Sequence, residues 1–119
     1  MNLERKSLAG VPISDLVEKV LSQSMDEGWL PKGLVLVEGP IAAQLNVSRA
    51  PVKAALSALH RSGRIVRFSG RGYLVGCDPL KPPIRKRVDA SMLRVSPQMV
   101  DALSKQGTWE HFVDQVELD

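Results

Sequence analysis

The stretch that most restricts how this chain can fold is residues 46–63, NVSRAPVKAALSALHRSG, which spells one helix with a marked start and a marked stop. Ser48 is an N-cap residue whose hydroxyl can accept from an orphan N–H of the first turn. Pro51 falls inside that turn, where a missing N–H costs nothing. Gly63 follows the last apolar position and suits a left-handed C-terminal cap. Val52, Ala55, Leu56 and Leu59 recur at helical spacing and make one buried stripe. At about 100° per residue the opposite face carries Ala50, Lys53, Ala54, Ser57 and Arg61, with Arg49 at its edge. That face is small, cationic and almost free of bulk, as a helix offered to a phosphate-lined groove would be. An ordinary solvated helix with basic residues has the same composition, so the neighbours must decide.

Residues 40–45 read as a shorter helix, joined to the first by the turn Asn46-Val47. After the long helix come two β-type runs, 64–68 and 73–75, around Ser69-Gly70-Arg71-Gly72, which is the signature of a hairpin. Gly70 and Gly72 permit positive φ and a tight turn, carrying Arg71 at the tip. Short helix, turn, longer helix and basic hairpin is the order of a winged helix-turn-helix, a module that places its second helix in the major groove of DNA. The predicted fold class is therefore mainly α with a small β-hairpin wing, followed by a linker and a short helical C-terminal segment.

Upstream, Pro12 opens a helix whose apolar residues Ile13, Leu16, Val17, Val20, Leu21 and Met25 share one face, ending at Gly28. Its stripe should pack on the two helices of the motif, with Trp29 and Leu30 plugging the corner below. Residues 34–37 are a short aliphatic run, read as a strand that pairs with the hairpin. Glu38 or Gly39 can cap the next helix, with Pro40 in its first position.

These residues resemble a family. Val37-Glu38, Ile41-Ala42, Leu45, Val47-Ser48-Arg49, Pro51-Val52-Lys53, Ala55-Leu56, Leu59, Gly63 and Gly70-Arg71-Gly72 are similar to the N-terminal domain of the GntR family of bacterial transcription regulators, in its FadR-like branch. The loop Gly28-Trp29-Leu30-Pro31-Lys32-Gly33 matches that family as well, and the resemblance covers residues 7–76. It implies sequence-specific binding of double-stranded DNA, a homodimer on a palindromic operator, and a small-molecule effector bound by a separate C-terminal domain absent from this chain. The family usually has threonine, arginine and glutamate where this chain has Ala50, Lys53 and Ala54, and a position often used for base contact falls at Gly39. These departures bear on base preference, not on fold.

Charge is distributed as that reading requires. Residues 1–48 carry a net −2, residues 49–87 a net +9 and residues 88–119 a net −4. A basic block on an otherwise acidic chain is the footprint of a polyanion partner. The recognition helix, about residues 49–62, would enter the major groove, and the wing, 69–72, would meet the minor groove or phosphate. The residues expected at DNA are Ser48, Arg49, Ala50, Pro51, Lys53 and Ser57 on the helix face, Arg61 and Arg64 toward phosphate, and Ser69, Gly70, Arg71 and Gly72 in the wing. Arg49 and Lys53 are the candidates for base edges.

Residues 77–95 read as a Pro-rich basic linker, with Pro79, Pro82 and Pro83 ahead of Arg85-Lys86-Arg87, a run that either adds phosphate contacts or is simply solvated. Residues 96–119 read as a helical segment: Ser96-Pro97 starts a helix with a thin apolar face of Met99, Val100 and Leu103, and Thr108 caps a last one. Trp109, Phe112, Val113 and Val116 repeat the apolar spacing of Ile13, Leu16, Val17 and Val20, so this segment is either one more amphipathic helix or the start of a truncated second domain.

Other chemistry finds little support. A single cysteine, Cys77, and two distant histidines, His60 and His111, offer neither a disulfide nor a metal site. Neither a membrane-length apolar run nor a signal peptide is visible, so the cytoplasm is expected. A nucleophile with a placed base and a phosphate-cradling loop are both missing, so neither enzymatic activity nor a cofactor is expected. The alternative from another class is a winged helix that binds protein instead of DNA, which the +9 block disfavours.

Overall fold

The computed structural model describes residues 11–68, 70, 72–76 and 82–105. Four helices and a three-stranded sheet follow in the order α1 (Ile13–Asp26), β1 (Val35–Leu36), α2 (Glu38–Leu45), α3 (Arg49–Arg61), β2 (Ile65–Phe68), β3 (Gly72–Val75) and α4 (Pro97–Lys105), with a short 3-10 turn at Ala90–Met92 before α4. This is a mainly helical winged helix-turn-helix. The sheet is antiparallel, in the order β1-β3-β2.

The apolar spacing that marks the helices also builds the core. Leu16, Val17, Val20 and Leu21 of α1, Ile41, Ala42 and Leu45 of α2, and Val52, Ala55, Leu56 and Leu59 of α3 are all buried in one cluster. The α1–α3 contact is the most extensive between helices, so the longest amphipathic stripe serves as the platform for the recognition helix. Each fully buried aliphatic side chain here contributes roughly 1.5–3 kcal/mol relative to exposure.

Turn chemistry fixes the angle between α2 and α3. Asn46 takes φ 54°, the one non-glycine residue with positive φ among those described, and its amide closes α2 onto the carbonyls of Ala42 and Ala43. Asparagine tolerates this conformation because its short polar side chain bonds locally. The buried Val47 then donates its N–H to the Ala42 carbonyl at 3.0 Å. Gly63, at φ 84°, does the corresponding work after α3, donating to the His60 carbonyl at 3.0 Å.

Several local expectations are corrected. Ser48 occupies the N-cap position in an extended conformation, but its side chain makes no capping hydrogen bond. Glu38 and Gly39 lie inside α2, with Val37 before it as an N-cap that has no side-chain bond to give, and Pro40 follows in the first turn. Leu30 is buried as a plug but Trp29 is 44% exposed, because its indole N–H bonds the Glu27 carboxylate at 3.2 Å at the surface. On α4, Met99, Ala102 and Leu103 are buried while Val100 faces out. Gly72 does not use its conformational freedom, unlike Gly70 at φ 82°. It is needed for space: a Cβ there would stand 3.2 Å from Val35 Cγ1 and 3.3 Å from the Leu36 carbonyl oxygen.

The segment read as a linker is seated on the domain. Ile84 forms a parallel bridge with Leu34, and Val88, Met92 and Leu93 join the same buried cluster as the helix-turn-helix. Ser24, the one buried polar side chain among the described residues, ties this segment down: its hydroxyl donates to the Val20 carbonyl and accepts from the Arg94 amide, both at 2.7 Å. The edge of the core therefore does not coincide with the prolines. The expected final helix at Trp109 lies outside the described residues, as does Cys77.

Candidate nucleic-acid interface

The start of α3 presents the predicted small cationic face. Ser48, Arg49, Ala50, Lys53 and Ala54 are exposed and Pro51 is half-buried, while the apolar stripe behind them is closed. Arg49 reaches back over the start of α2, close enough that a Cβ on Gly39 would be 3.0 Å from its Nη2. The absence of a side chain at Gly39 thus makes room for the Arg49 guanidinium.

A cleft of about 470 Å³ gathers Arg49 and Lys53 from α3, Glu38, Gly39 and Pro40 from α2, and Arg67, Gly70 and Tyr73 from the wing. Three cations and one carboxylate face each other across it. Cross-strand pairing sets the wing side of this cleft: Arg67 lies opposite Tyr73 in the β2–β3 register, and its guanidinium sits 5.6 Å from the Tyr73 ring centroid. The His60 ring meets the same tyrosine at 5.6 Å, so Tyr73 joins the end of α3 to the wing. Arg67 also donates a long 3.4 Å hydrogen bond to the Gly70 carbonyl.

The structure thus brings Arg49, Lys53 and Gly70 together and adds Arg67 and Tyr73, which the sequence reading left out. Strand alternation hides it: Arg67 stands two residues from the buried Ile65, on the same face, yet it is exposed, one residue before the turn-side end of β2. Other expected contacts sit differently. Arg61 donates to Ser57 Oγ at 3.0 Å along the exposed side of α3. Arg64 is drawn away to Asp26 at the end of α1, at 2.6 Å. Gly72 is buried against β1. Ser69 and Arg71 lie outside the described residues.

A sequence model of the bacterial regulatory proteins of the gntR family matches residues 13–75. The chain belongs to this family. The match runs from the first residue of α1 to the last of β3 and takes in more than half of the chain's 119 residues. Comparisons with curated proteins and with solved structures found no match. The GntR winged helix is a DNA-binding domain of bacterial transcription regulators, a non-enzymatic fold, and the cationic cleft lies on the part of it built from the second helix of the motif and the wing. Among the described residues no cluster of His, Cys, Asp or Glu could hold a metal ion, and no helix is long and apolar enough to cross a membrane.

Proposed function

We propose that this chain is the operator-reading part of a bacterial, cytoplasmic transcription regulator of the FadR-like branch, binding double-stranded DNA with α3 in the major groove. The observation that carries the reading is the convergence of Arg49, Lys53 and Arg67 on one open cleft beside the start of α3. Arg49 and Lys53 reach base edges, with the small exposed residues Ser48 and Ala50 allowing close approach. Arg49 is suited to a planar, bidentate contact, whereas Lys53 is a point charge. Arg67 and the turn at 69–72 follow the phosphate or the minor groove. The protein acts as a homodimer on a palindromic site, and any small-molecule effector acts through a domain other than the winged helix.

Affinity for duplex DNA as a function of salt tests this. With about four to six phosphate contacts, log affinity falls against log salt with a slope near −4 to −5. A slope near zero at every duplex tried would refute DNA binding and leave the protein-binding winged helix as the better reading.

A further inference from the structure

The family match ends at residue 75, yet the chain beyond it returns to the interface. Ile84 donates its N–H to the Gly33 carbonyl at 2.8 Å and accepts from the Val35 N–H at 3.0 Å, so the chain runs as an added edge along β1. Four residues later Val88 is buried in the core. Arg85, Lys86 and Arg87 lie between these anchors, exposed and held from both ends.

Their neighbours place them. All three line a cleft of about 410 Å³ with Val35, Val37, Pro40, Phe68 and Gly72. The Arg85 guanidinium rests 5.1 Å from the Phe68 ring centroid. Phe68 and Gly72 pair across the hairpin on the face opposite to Arg67 and Tyr73. The wing therefore has the α3 cleft on one face and this tract on the other. Arg87 closes the circuit, because it shares a third cleft, of about 270 Å³, with Arg49, Gly39 and Pro40.

Three adjacent cations held in one geometry repel each other, and ordering the backbone that holds them costs conformational entropy. No carboxylate among the described residues forms an ion pair with them. The charge of Lys86 acts on the Asp89 carboxylate only at longer range, without an ion pair. A polyanion laid across the tract relieves that repulsion.

We infer that Arg85, Lys86 and Arg87 form a second phosphate clamp for duplex DNA, gripping the backbone on the face of the wing turned away from the α3 cleft. The inference rests on the DNA-binding reading above and extends the contact surface past the family domain. The clamp holds phosphates and carries no base preference.

The test compares the intact chain with the triple variant Arg85→Gln, Lys86→Gln, Arg87→Gln, which keeps polar side chains of similar reach. Salt titrations are run on one selected duplex and one of random sequence. The triple variant is expected to lose about 2–3 from the salt slope, at roughly 0.9 per phosphate, equally on both duplexes and with the same base preference. Lys86→Gln alone, in a side chain that stacks on no ring among the described residues, is expected to lose about 0.9 and guards against misfolding of the triple variant. A steep slope for the intact chain that neither variant changes overturns the clamp and leaves the DNA reading standing. A flat slope for the intact chain overturns both.

Discussion

Replacing Ser24 with alanine should loosen the segment that follows the wing while leaving the helix-turn-helix intact. The hydroxyl makes two bonds of 2.7 Å inside the core. The Val20 carbonyl is within the α1 ladder, so losing its extra donor costs little. The Arg94 amide is different, because Ser24 Oγ is its acceptor and the site is part-buried. An unsatisfied buried N–H costs about 1–3 kcal/mol, and partial access of water places Ser24→Ala near the lower half of that range, about 1–2 kcal/mol. For a domain of this size that is a fall in Tm of roughly 4–16 °C. Urea denaturation gives the energy, and amide exchange at Arg94 gives the location. A loss under about 0.5 kcal/mol, with Arg94 protection unchanged, would refute the argument that this one hydroxyl fastens the segment.

Two further substitutions probe local packing and charge. Gly72→Ala should destabilise the domain by about 1–3 kcal/mol in chemical denaturation, since its Cβ would meet the Leu36 carbonyl oxygen at 3.3 Å and backbone cannot step aside as a flexible side chain can. The Asp89 carboxyl should titrate below its usual range in an NMR pH titration, chiefly because the Ser91 hydroxyl donates to its charged form, and Ser91→Ala should move it back up. Because the folded-state value is lowered, this contribution to stability is present above the ordinary carboxylate range and is lost as pH falls through the folded value.

What was legible in the sequence was whatever obeys a period or a turn rule. The stripe Val52, Ala55, Leu56 and Leu59 and the glycine at position 63 appear as read, and the run at 34–37 does supply a strand to the wing, though only Val35–Leu36 pairs. What stayed hidden depends on single long-range contacts. Ile84, Val88 and Met92 recur every fourth residue, but Pro82 and Pro83 and the charges between them mask the pattern, and the segment docks without forming the helix such spacing suits. Ser24 lies between Leu21 and Met25 on the first helix, and no spacing marks its hydroxyl as the acceptor for an amide seventy residues away. Ser48 has the right chemistry for a cap, but the hydroxyl is not used. At the site, Arg49 and Lys53 were readable from helix phase. The role of Gly39 was not, because it is defined by the Arg49 guanidinium lying over it. The charge of Arg64 counts toward the basic block, and its pairing with Asp26 at the end of α1 is another single long-range contact that no spacing announces.

Whether the start of α3 reads bases is decided by selecting bound duplexes from a random pool, in parallel with the intact chain, Arg49→Ala and Lys53→Arg. The intact chain should enrich a palindromic sequence. Arg49→Ala should lose about 1–3 kcal/mol of affinity for that sequence and relax one position in each half-site. Lys53→Arg should shift one position toward guanine, because arginine's planar fork matches the two acceptors on that base. Identical enriched sequences and equal affinities for all three proteins would mean that α3 is not the element that reads the operator.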